Sequence, residues 1–226
     1  MEIPALVTIP RGSTGKNLPL IVNIHGGPHL RGYSWAEWGR WPEAQFFASR
    51  GYVVLEPEPR GSRGFGREHY RSSFKQWGLT MQDDITDGAM HLVNEGIVDK
   101  KRMCLHGGSY GGYATLQGLV KNPDLWRCGS PFVAVADLFL LFEANSDTRM
   151  YSDYLETDAK RIIGDPKSDA AQFEQTSPAR NASKIQAPVL LAMGVEDQRV
   201  PLVHGKAMHE ALQKAGKQVE YVEYEQ

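Results

Sequence analysis

The chain has 226 residues, which is enough for one α/β domain with a sizeable core. Apolar residues make up 41%, charged residues 23%, and the formal net charge is −2, so nothing in the charge balance favours nucleic acid or an anionic membrane surface as a partner. No signal peptide and no run of about 18 apolar residues is present, and we therefore expect a cytoplasmic protein that does not span a membrane.

Apolar, strand-like runs alternate with helix-like patterns along the chain. Short continuous apolar strands separated by helices are typical of a parallel sheet that is buried on both faces. The sequence therefore predicts an α/β fold with a doubly wound, mostly parallel sheet. Strands are predicted at 3–9, 18–25, 52–56, 102–106, 128–135, 189–193 and 219–224, and helices at 43–49, 82–95, 110–121 and 203–215.

The stretch 137–187 is long for a connection between two strands of such a sheet. It carries the aromatic residues Phe139, Phe142, Tyr151 and Tyr154. We interpret the stretch as a lid-like insertion in which these four side chains line a substrate pocket. The alternative is that they are ordinary core residues, since apolar side chains mostly pack inside proteins.

The residues 107–111 read G-x-S-x-G, with Ser109 at the centre. An apolar strand precedes this motif and a helix follows it, which is the context of a nucleophile elbow. The glycines are needed because the serine occupies a strained backbone position and its neighbours approach closely. The alternative is a glycine-rich turn in which the serine caps the following helix.

A second glycine-rich turn, His25-Gly26-Gly27-Pro28, follows the strand at 18–25. A serine nucleophile that attacks a carbonyl group needs backbone N–H donors for the oxyanion that forms. One donor is expected from the residue after the nucleophile, Tyr110, and the other from a glycine-rich loop after an early strand. We therefore predict Gly27 and Tyr110 as the oxyanion donors, with an ordinary turn before proline as the alternative.

Asp197 follows the apolar strand 189–193 directly. Functional groups gather at the carboxyl ends of the strands in an open α/β sheet, and the order serine, aspartate, histidine is expected for such hydrolases. Asp197 is therefore the predicted acid of a catalytic triad. Asp137, after the strand 128–135, is its rival, and the alternative role for either residue is to cap a helix.

The general base is the element that the sequence does not supply. The base is expected after the last strand, where only Glu225 and Gln226 remain, so we expect it to be absent from this chain. The alternative is a carboxylesterase that recruits His204, from the helix after Asp197, as the base.

No cluster of cysteine or histidine residues has the spacing of a metal site, and no dinucleotide fingerprint is present, so neither a metal nor a cofactor is expected. The two cysteines, Cys104 and Cys128, fall in apolar strand-like segments, and we expect buried free thiols. Four arginines, Arg60, Arg63, Arg67 and Arg71, offer an anion-binding patch, although the favoured interpretation is that some form buried ion pairs and the rest belong to a solvated loop.

Taken together, these residues resemble the catalytic domain of the prolyl oligopeptidase family, especially its acylaminoacyl-peptidase and dipeptidyl-peptidase-like members. The resemblance covers nearly the whole chain and is carried by residues 25–28, 58–62, 107–112 and 197–201. It implies an α/β-hydrolase fold in which Ser109 is the nucleophile, Asp197 the acid, and Gly27 with Tyr110 the oxyanion donors. It also implies a serine hydrolase that cleaves short peptides, often releasing N-terminal units, and simple esters.

The same resemblance implies that parts of the family's architecture are missing. An N-terminal β-propeller is expected before residue 1, and a loop with the catalytic histidine and a final helix are expected after residues 222–226. We therefore expect residues 1–226 to be a truncated catalytic domain with little activity of its own. Its expected partners are short peptide or acyl substrates, a missing propeller domain or a second copy of the chain, and a non-enzymatic binding module is the competing hypothesis.

Overall fold

A seven-stranded sheet forms the centre of the protein in the computed structural model, which describes residues 1–32, 41–144 and 155–225. The strands are β1 (Ala5–Thr8), β2 (Leu18–Ile24), β3 (Val53–Pro57), β4 (Val98–Gly108), β5 (Cys128–Phe132), β6 (Val189–Gly194) and β7 (Val219–Tyr224). All seven lie where the sequence predicts a strand.

The helices connect these strands. They are α1 (Trp41–Ala48), α2 (Arg67–Arg71), α3 (Thr80–Asn94), α4 (Tyr110–Lys121), α5 (Leu138–Ala144), α6 (Lys160–Ile162), α7 (Ala170–Thr176) and α8 (Val203–Lys214). A π-helical turn (Leu155–Ala159) runs into α6, and a 3₁₀ helix (Pro178–Lys184) precedes β6. None of the helices in the described ranges is long and apolar enough to cross a lipid bilayer.

The strand order β1-β3-β2-β4-β5-β6-β7 confirms the doubly wound arrangement, with β1 antiparallel and all other pairs parallel. The direction of the strand order reverses between β2 and β4. From β2 the next strand in sequence, β3, lies towards one edge of the sheet, whereas from β4 the next strand, β5, lies towards the other edge. At the carboxyl ends of these two strands Ile24 lies opposite Gly107. Ligands of open α/β sheets bind in the crevice at this kind of reversal point, and both glycine-rich motifs begin there.

The two faces of the sheet are covered differently. Val53 and Leu55 point into the large hydrophobic core, whereas Val54 between them belongs to a small second cluster with Ala44 and Ala48 of α1. This alternation follows from the two-residue period of a strand. The large core contains buried side chains from α3, α4 and α8, so the helix that follows the serine motif is anchored in this core.

Strand β5 ends three residues earlier than the sequence predicts. Val133 takes a φ of 42°, which β-branched residues rarely adopt, and the chain turns away from the sheet there. The turn is fixed on both sides, because the Val133 N–H donates to Ala192 (2.8 Å) and the Phe132 carbonyl accepts from the Ser109 N–H (3.1 Å). The exit of β5 is therefore bonded directly to the nucleophile motif.

Two further sequence predictions need correction. Cys104 and Cys128 form a disulfide and are not free thiols, because β4 and β5 are parallel neighbours whose register places the two residues opposite each other, with Cα atoms 4.8 Å apart. The arginine-rich segment around residue 67 is not entirely loop, since Arg67–Arg71 forms the short helix α2. Neither the strand register nor a helix of five polar residues is visible in hydrophobic periodicity.

Candidate active site

Ser109 lies between β4 and α4 and has the strained backbone of a nucleophile elbow. Its φ is 57° and its ψ is −117°, an arrangement that persists only where the surroundings enforce it. A Cβ on Gly111 would overlap the Ile24 carbonyl oxygen, and one on Gly107 would lie 2.5 Å from the same atom. Ser109 occupies the N-cap position of α4, but its side chain makes no capping hydrogen bond to the helix, so the hydroxyl does not serve as the cap that the alternative requires.

The loop formed by His25, Gly26 and Gly27 lies directly against this elbow. A Cβ built on Gly26 would be 3.1 Å from the Gly108 carbonyl oxygen and 3.3 Å from the Ser109 Cβ, so any side chain there would crowd the nucleophile. Gly27 has a φ of 94°, a conformation that glycine adopts without strain. Tyr110 is the first residue of α4, and N–H groups in a first turn have no intrahelical acceptor.

The imidazole of His25 ties the loop to the rest of the domain. Its Nδ1–H donates to the Gly26 carbonyl oxygen (2.8 Å), while Nε2 lies 3.1 Å from Ser62 Oγ and 3.4 Å from Glu58 Oε2. The same Glu58 oxygen accepts from the Gly32 N–H (3.1 Å). The ring is buried, so His25 is built into the loop as a clamp. Glu58 and Ser62 were not predicted as supports of this loop, although both lie in the stretch 58–62 that carries part of the family resemblance.

Asp197 lies in the loop after β6, where the sequence places it. Its Oδ1 accepts hydrogen bonds from the N–H groups of Arg199 (2.8 Å) and Val200 (2.9 Å). These bonds orient the carboxylate, and no hydrogen bond to a described residue occupies Oδ2. The half-buried side chain can therefore accept a further donor, as the acid of a triad must.

Asp137, the rival acid, is fully engaged in structure. Oδ1 accepts from the Phe139 N–H (2.8 Å) and caps α5, while Oδ2 accepts from Arg180 Nε (2.6 Å). Ser177 Oγ lies 3.5 Å from Oδ1, and the residue is only 8% exposed. With both oxygens used, Asp137 has the helix-capping role that was the alternative for either aspartate.

His204, the alternative base, has its accepting nitrogen occupied. The Ala136 N–H donates to His204 Nδ1 (3.3 Å), so the proton of the neutral ring sits on Nε2, which has no acceptor among the described residues. The side chain is 0% exposed, and burial lowers its pKa to about 4. A histidine with no accepting nitrogen left cannot take the serine proton, and the carboxylesterase alternative that relies on His204 loses its base.

Three further histidines, His29, His69 and His106, make structural hydrogen bonds as well. His29 Nε2–H donates to Ser73 Oγ (3.0 Å), and burial together with the Arg63 charge and His25 lowers its pKa to about 4. His69 Nε2–H donates to the Pro59 carbonyl oxygen, and His106 bridges Glu43 and the Ser130 carbonyl oxygen. Within the described ranges, no hydrogen bond joins a histidine to Ser109 Oγ.

Of the four aromatic residues predicted to line a substrate pocket, two lie within the described residues. Phe139 and Phe142 are partly buried and pack on Phe173, with ring centres 5.3 and 5.7 Å apart. They therefore contribute to the core, which was the alternative to a role in substrate binding. Tyr151 and Tyr154 lie outside the described residues.

The reactive groups of the site are side chains and backbone N–H groups of the protein itself. In the part of the chain that the structure describes, no three histidine, cysteine or acidic side chains come together in a way that could hold a metal ion. The elbow and its neighbour loop offer a half-buried hydroxyl beside backbone N–H groups, and the loop after β6 adds an oriented carboxylate. A hydroxyl nucleophile, N–H donors for an oxyanion and a carboxylate are the groups that acyl transfer requires besides a general base.

Comparison with known proteins points to one family. The prolyl oligopeptidase family profile matches residues 38–226. Dipeptidyl aminopeptidase BIII of Pseudoxanthomonas mexicana is 33% identical over 226 residues, which cover 96% of this chain and 32% of that protein. The acylamino-acid-releasing enzyme of Arabidopsis thaliana is 29% identical over 216 residues, 91% of this chain and 26% of that enzyme.

Solved structures agree with the sequence comparison. Pyrococcus horikoshii acylaminoacyl peptidase matches with a TM-score of 0.86 and 28% identity, over 100% of this chain and 35% of that one. A puromycin-hydrolyzing peptidase of Mycobacterium tuberculosis gives 0.87 and 29%, over 98% and 33%. The chain thus spans about a third of the length of these relatives. Its fold is that of an α/β hydrolase, and the chain belongs to the prolyl oligopeptidase family.

Proposed function

We propose that this chain carries the nucleophile and the acid of a serine peptidase that cleaves short peptides through an acyl-enzyme on Ser109. The observation that carries the proposal is the contact between the strained elbow and the loop of Gly26 and Gly27 at the reversal point of the sheet. The family membership supports it, because the relatives are named as peptidases.

In the proposed reaction, Ser109 Oγ attacks the carbonyl carbon of the scissile bond and a histidine takes its proton. The oxyanion accepts hydrogen bonds from the N–H groups of Tyr110 and Gly27, where the positive end of the α4 dipole adds to the stabilisation. The tetrahedral intermediate then collapses, the scissile C–N bond breaks, and the histidine gives its proton to the leaving amine, which leaves an acyl-enzyme. Water hydrolyses the acyl-enzyme with the same histidine as base, and the histidine returns the proton to Ser109 Oγ as the acid product leaves. Simple esters react by the same steps and are a second substrate class.

The remaining question is which histidine acts, and we propose one that follows β7 in a longer chain. Asp197 Oδ2 is the acceptor that would orient it, since no described residue bonds this oxygen. His204 and the hydrogen-bonded histidines around the elbow are already committed elsewhere.

The test is labelling by a fluorophosphonate probe, followed by mass mapping of the labelled residue. Residues 1–226 are compared with a chain that continues past Gln226, and Ser109→Ala in the longer chain is the control. We expect Ser109 to be labelled in the longer chain, and about 10⁴-fold or more slowly without the base. Equal rapid labelling of both chains would place the base within residues 1–226, and no labelling of either would remove Ser109 as a nucleophile.

A further inference from the structure

Two exposed arginines stand on segments that are tied to the loop beside the nucleophile. Arg31 follows that loop, and its guanidinium carbon lies 5.5 Å from the centre of the Phe65 ring. The backbone N–H of Arg63 donates to the Leu30 carbonyl oxygen (3.1 Å). We refer to Leu30, Arg31 and Arg63 together as the arginine rim.

The rim adjoins Gly27, one of the two proposed oxyanion donors. A Cβ built on Gly27 would be 2.6 Å from Leu30 Cδ1, so the Leu30 side chain lies against this glycine, yet it remains 44% exposed. The charge of Arg63 acts on the same loop, since it helps to lower the pKa of the buried His29. A peptide whose carbonyl oxygen reached Gly27 would therefore pass the rim.

The charges of the rim are not neutralised within the described chain. No ion pair joins Arg31 or Arg63 to a carboxylate of a described residue, whereas Arg60 in the same loop pairs with Asp84 at 2.6 Å. Glu58 is buried and engaged with Gly32. The set of arginines singled out in the sequence is thus divided, because Arg60 serves an ion pair and Arg63 does not.

We propose that the arginine rim selects substrates that carry a carboxylate, so that acidic short peptides are the preferred substrate class. A guanidinium group binds a carboxylate through two parallel N–H donors, and the Phe65 ring holds the Arg31 group in place for such a contact. The inference rests on the proposed function, since it concerns the substrates of the same site.

The experiment measures kcat/KM of the active, longer chain with matched peptide pairs. One pair exchanges glutamate for glutamine next to the scissile bond, and the other exchanges a free C-terminal carboxylate for an amide. These two pairs separate the two sources of the carboxylate. The variants are Arg31→Gln, Arg63→Gln and their combination, and Arg11→Gln is the matched control, because it removes one exposed charge from the turn between β1 and β2, at the opposite end of the sheet.

We expect the acidic member of at least one pair to be cleaved about five-fold faster at low salt, since two exposed ion pairs each contribute little. The double variant should abolish this preference, and Arg11→Gln should retain it. Salt at 0.5 M should reduce the preference, because the Debye length falls to ~3–5 Å and the exposed charges are then screened from each other. Equal kcat/KM values within both pairs, or a preference that survives the double variant, would overturn the proposal.

A binding measurement separates this inference from the proposed function. Ser109→Ala removes the nucleophile and leaves the rim intact, so the fluorescence anisotropy of dye-labelled peptides reports recognition without turnover. If no substrate is cleaved but the acidic peptide still binds more tightly, and the double variant loses that difference, the rim is confirmed while the peptidase proposal fails. Equal affinities for the acidic and neutral peptides would reject the rim independently of activity.

Discussion

Around Ser109, two strands and a helix approach so closely that a Cβ on Gly111 would overlap the Ile24 carbonyl oxygen. Around Asp197, by contrast, a Cβ on Gly194 would meet nothing nearer than the Asp197 Cβ at 3.8 Å. We call residues 24–27 with 107–111 the elbow half of the site, and residues 194–200 the acid loop. Ser109, the predicted nucleophile, is positioned by tertiary packing, whereas Asp197, the predicted acid, is positioned by hydrogen bonds within its own turn.

This difference predicts that the two halves respond in different ways to change. Substitutions in the elbow half should cost stability and activity together, because the same packing serves both. Substitutions in the acid loop should cost activity while the fold remains stable.

The largest expected effect is the loss of activity in Asp197→Asn. An amide cannot stabilise the imidazolium that forms during catalysis, so kcat of the active chain should fall by about 10³–10⁴-fold. The urea midpoint should change little, because an asparagine oxygen can still accept from the N–H groups of Arg199 and Val200.

Asp137→Asn is the matched control for that variant. It replaces a carboxylate that pairs with Arg180 and caps α5, so it should destabilise the fold by roughly 1–3 kcal/mol while the rate of the folded fraction stays near the parent value. If Asp137→Asn instead abolished catalysis in a stable protein, the assignment of the two aspartates would have to be exchanged.

The second prediction compares two glycine-to-alanine changes. Gly111→Ala forces the elbow away from Ile24 and should destabilise the protein by about 3 kcal/mol, with loss of probe labelling at Ser109. Gly194→Ala meets only open space and an ordinary contact, so its effect on unfolding should stay within about 0.5 kcal/mol. Urea denaturation of both variants gives the comparison, and similar values would contradict the difference in packing.

The third prediction concerns the disulfide between Cys104 and Cys128, which joins β4 of the elbow half to β5. Reduction should lower the free energy of unfolding by about 3 kcal/mol, the usual size for a closed loop of this length. Alkylation without reductant, followed by mass measurement, establishes whether the thiols are free. Two alkylated cysteines together with an unchanged urea midpoint in reductant would restore the free-thiol prediction.

The smallest expected effect is on the pH dependence of stability. Two buried groups, His204 near the acid loop and Glu56 near the elbow half, change the stability with opposite signs as the pH rises. Burial lowers the pKa of His204 to about 4 from 6.5, so the unfolded chain binds the extra proton and stability rises as the pH rises from about 4 to 6.5. Glu56 is hydrogen-bonded to Asn23 of β2, and burial and the Glu43 and Glu58 carboxylates raise its pKa to about 7 from 4.5. Its contribution therefore falls as the pH rises from 4.5 to about 7.

His29, whose pKa burial also lowers to about 4, contributes with the same sign as His204, so the stability of the parent protein should rise between about pH 4.5 and 6.5 as far as these three groups decide it. Glu56→Gln should make this rise steeper, and His204→Asn should leave a nearly flat profile, each by a change of at most about 3 kcal/mol. Urea unfolding across this range is the measurement. Parallel profiles for both variants would show that the two groups do not titrate as described.

The sequence predicts the strands well because apolar runs of the right length leave few other options. All seven strands and the helices at residues 43, 82, 110 and 203 were found in their predicted order. The sequence favours Asp197 over Asp137 only by the order of the motifs, since both residues follow strands. The capping contact and the Arg180 partner that engage Asp137 are visible only in the folded chain. The disulfide was missed for a similar reason, because periodicity identifies a strand but not the register of its neighbours.

The rest of the elbow half depends on contacts between distant segments. The serine motif and the turn at Gly27 are visible as patterns, but the clamp of His25 by Glu58 and Ser62 is a property of the folded chain. The tautomer of His204 is likewise set by the Ala136 N–H, 68 residues away in sequence.

Val133 is the point at which local preference and global structure disagree. The segment Val133-Ala134-Val135 favours an extended strand, yet Val133 is held at a φ of 42° by bonds that also fix Ser109. Such a conflict is local frustration, with a cost of roughly 1–3 kcal/mol that the surrounding fold must offset. The backbone geometry at Ser109 therefore depends on the early end of β5, which stops at Phe132 although the sequence favours a strand to Val135.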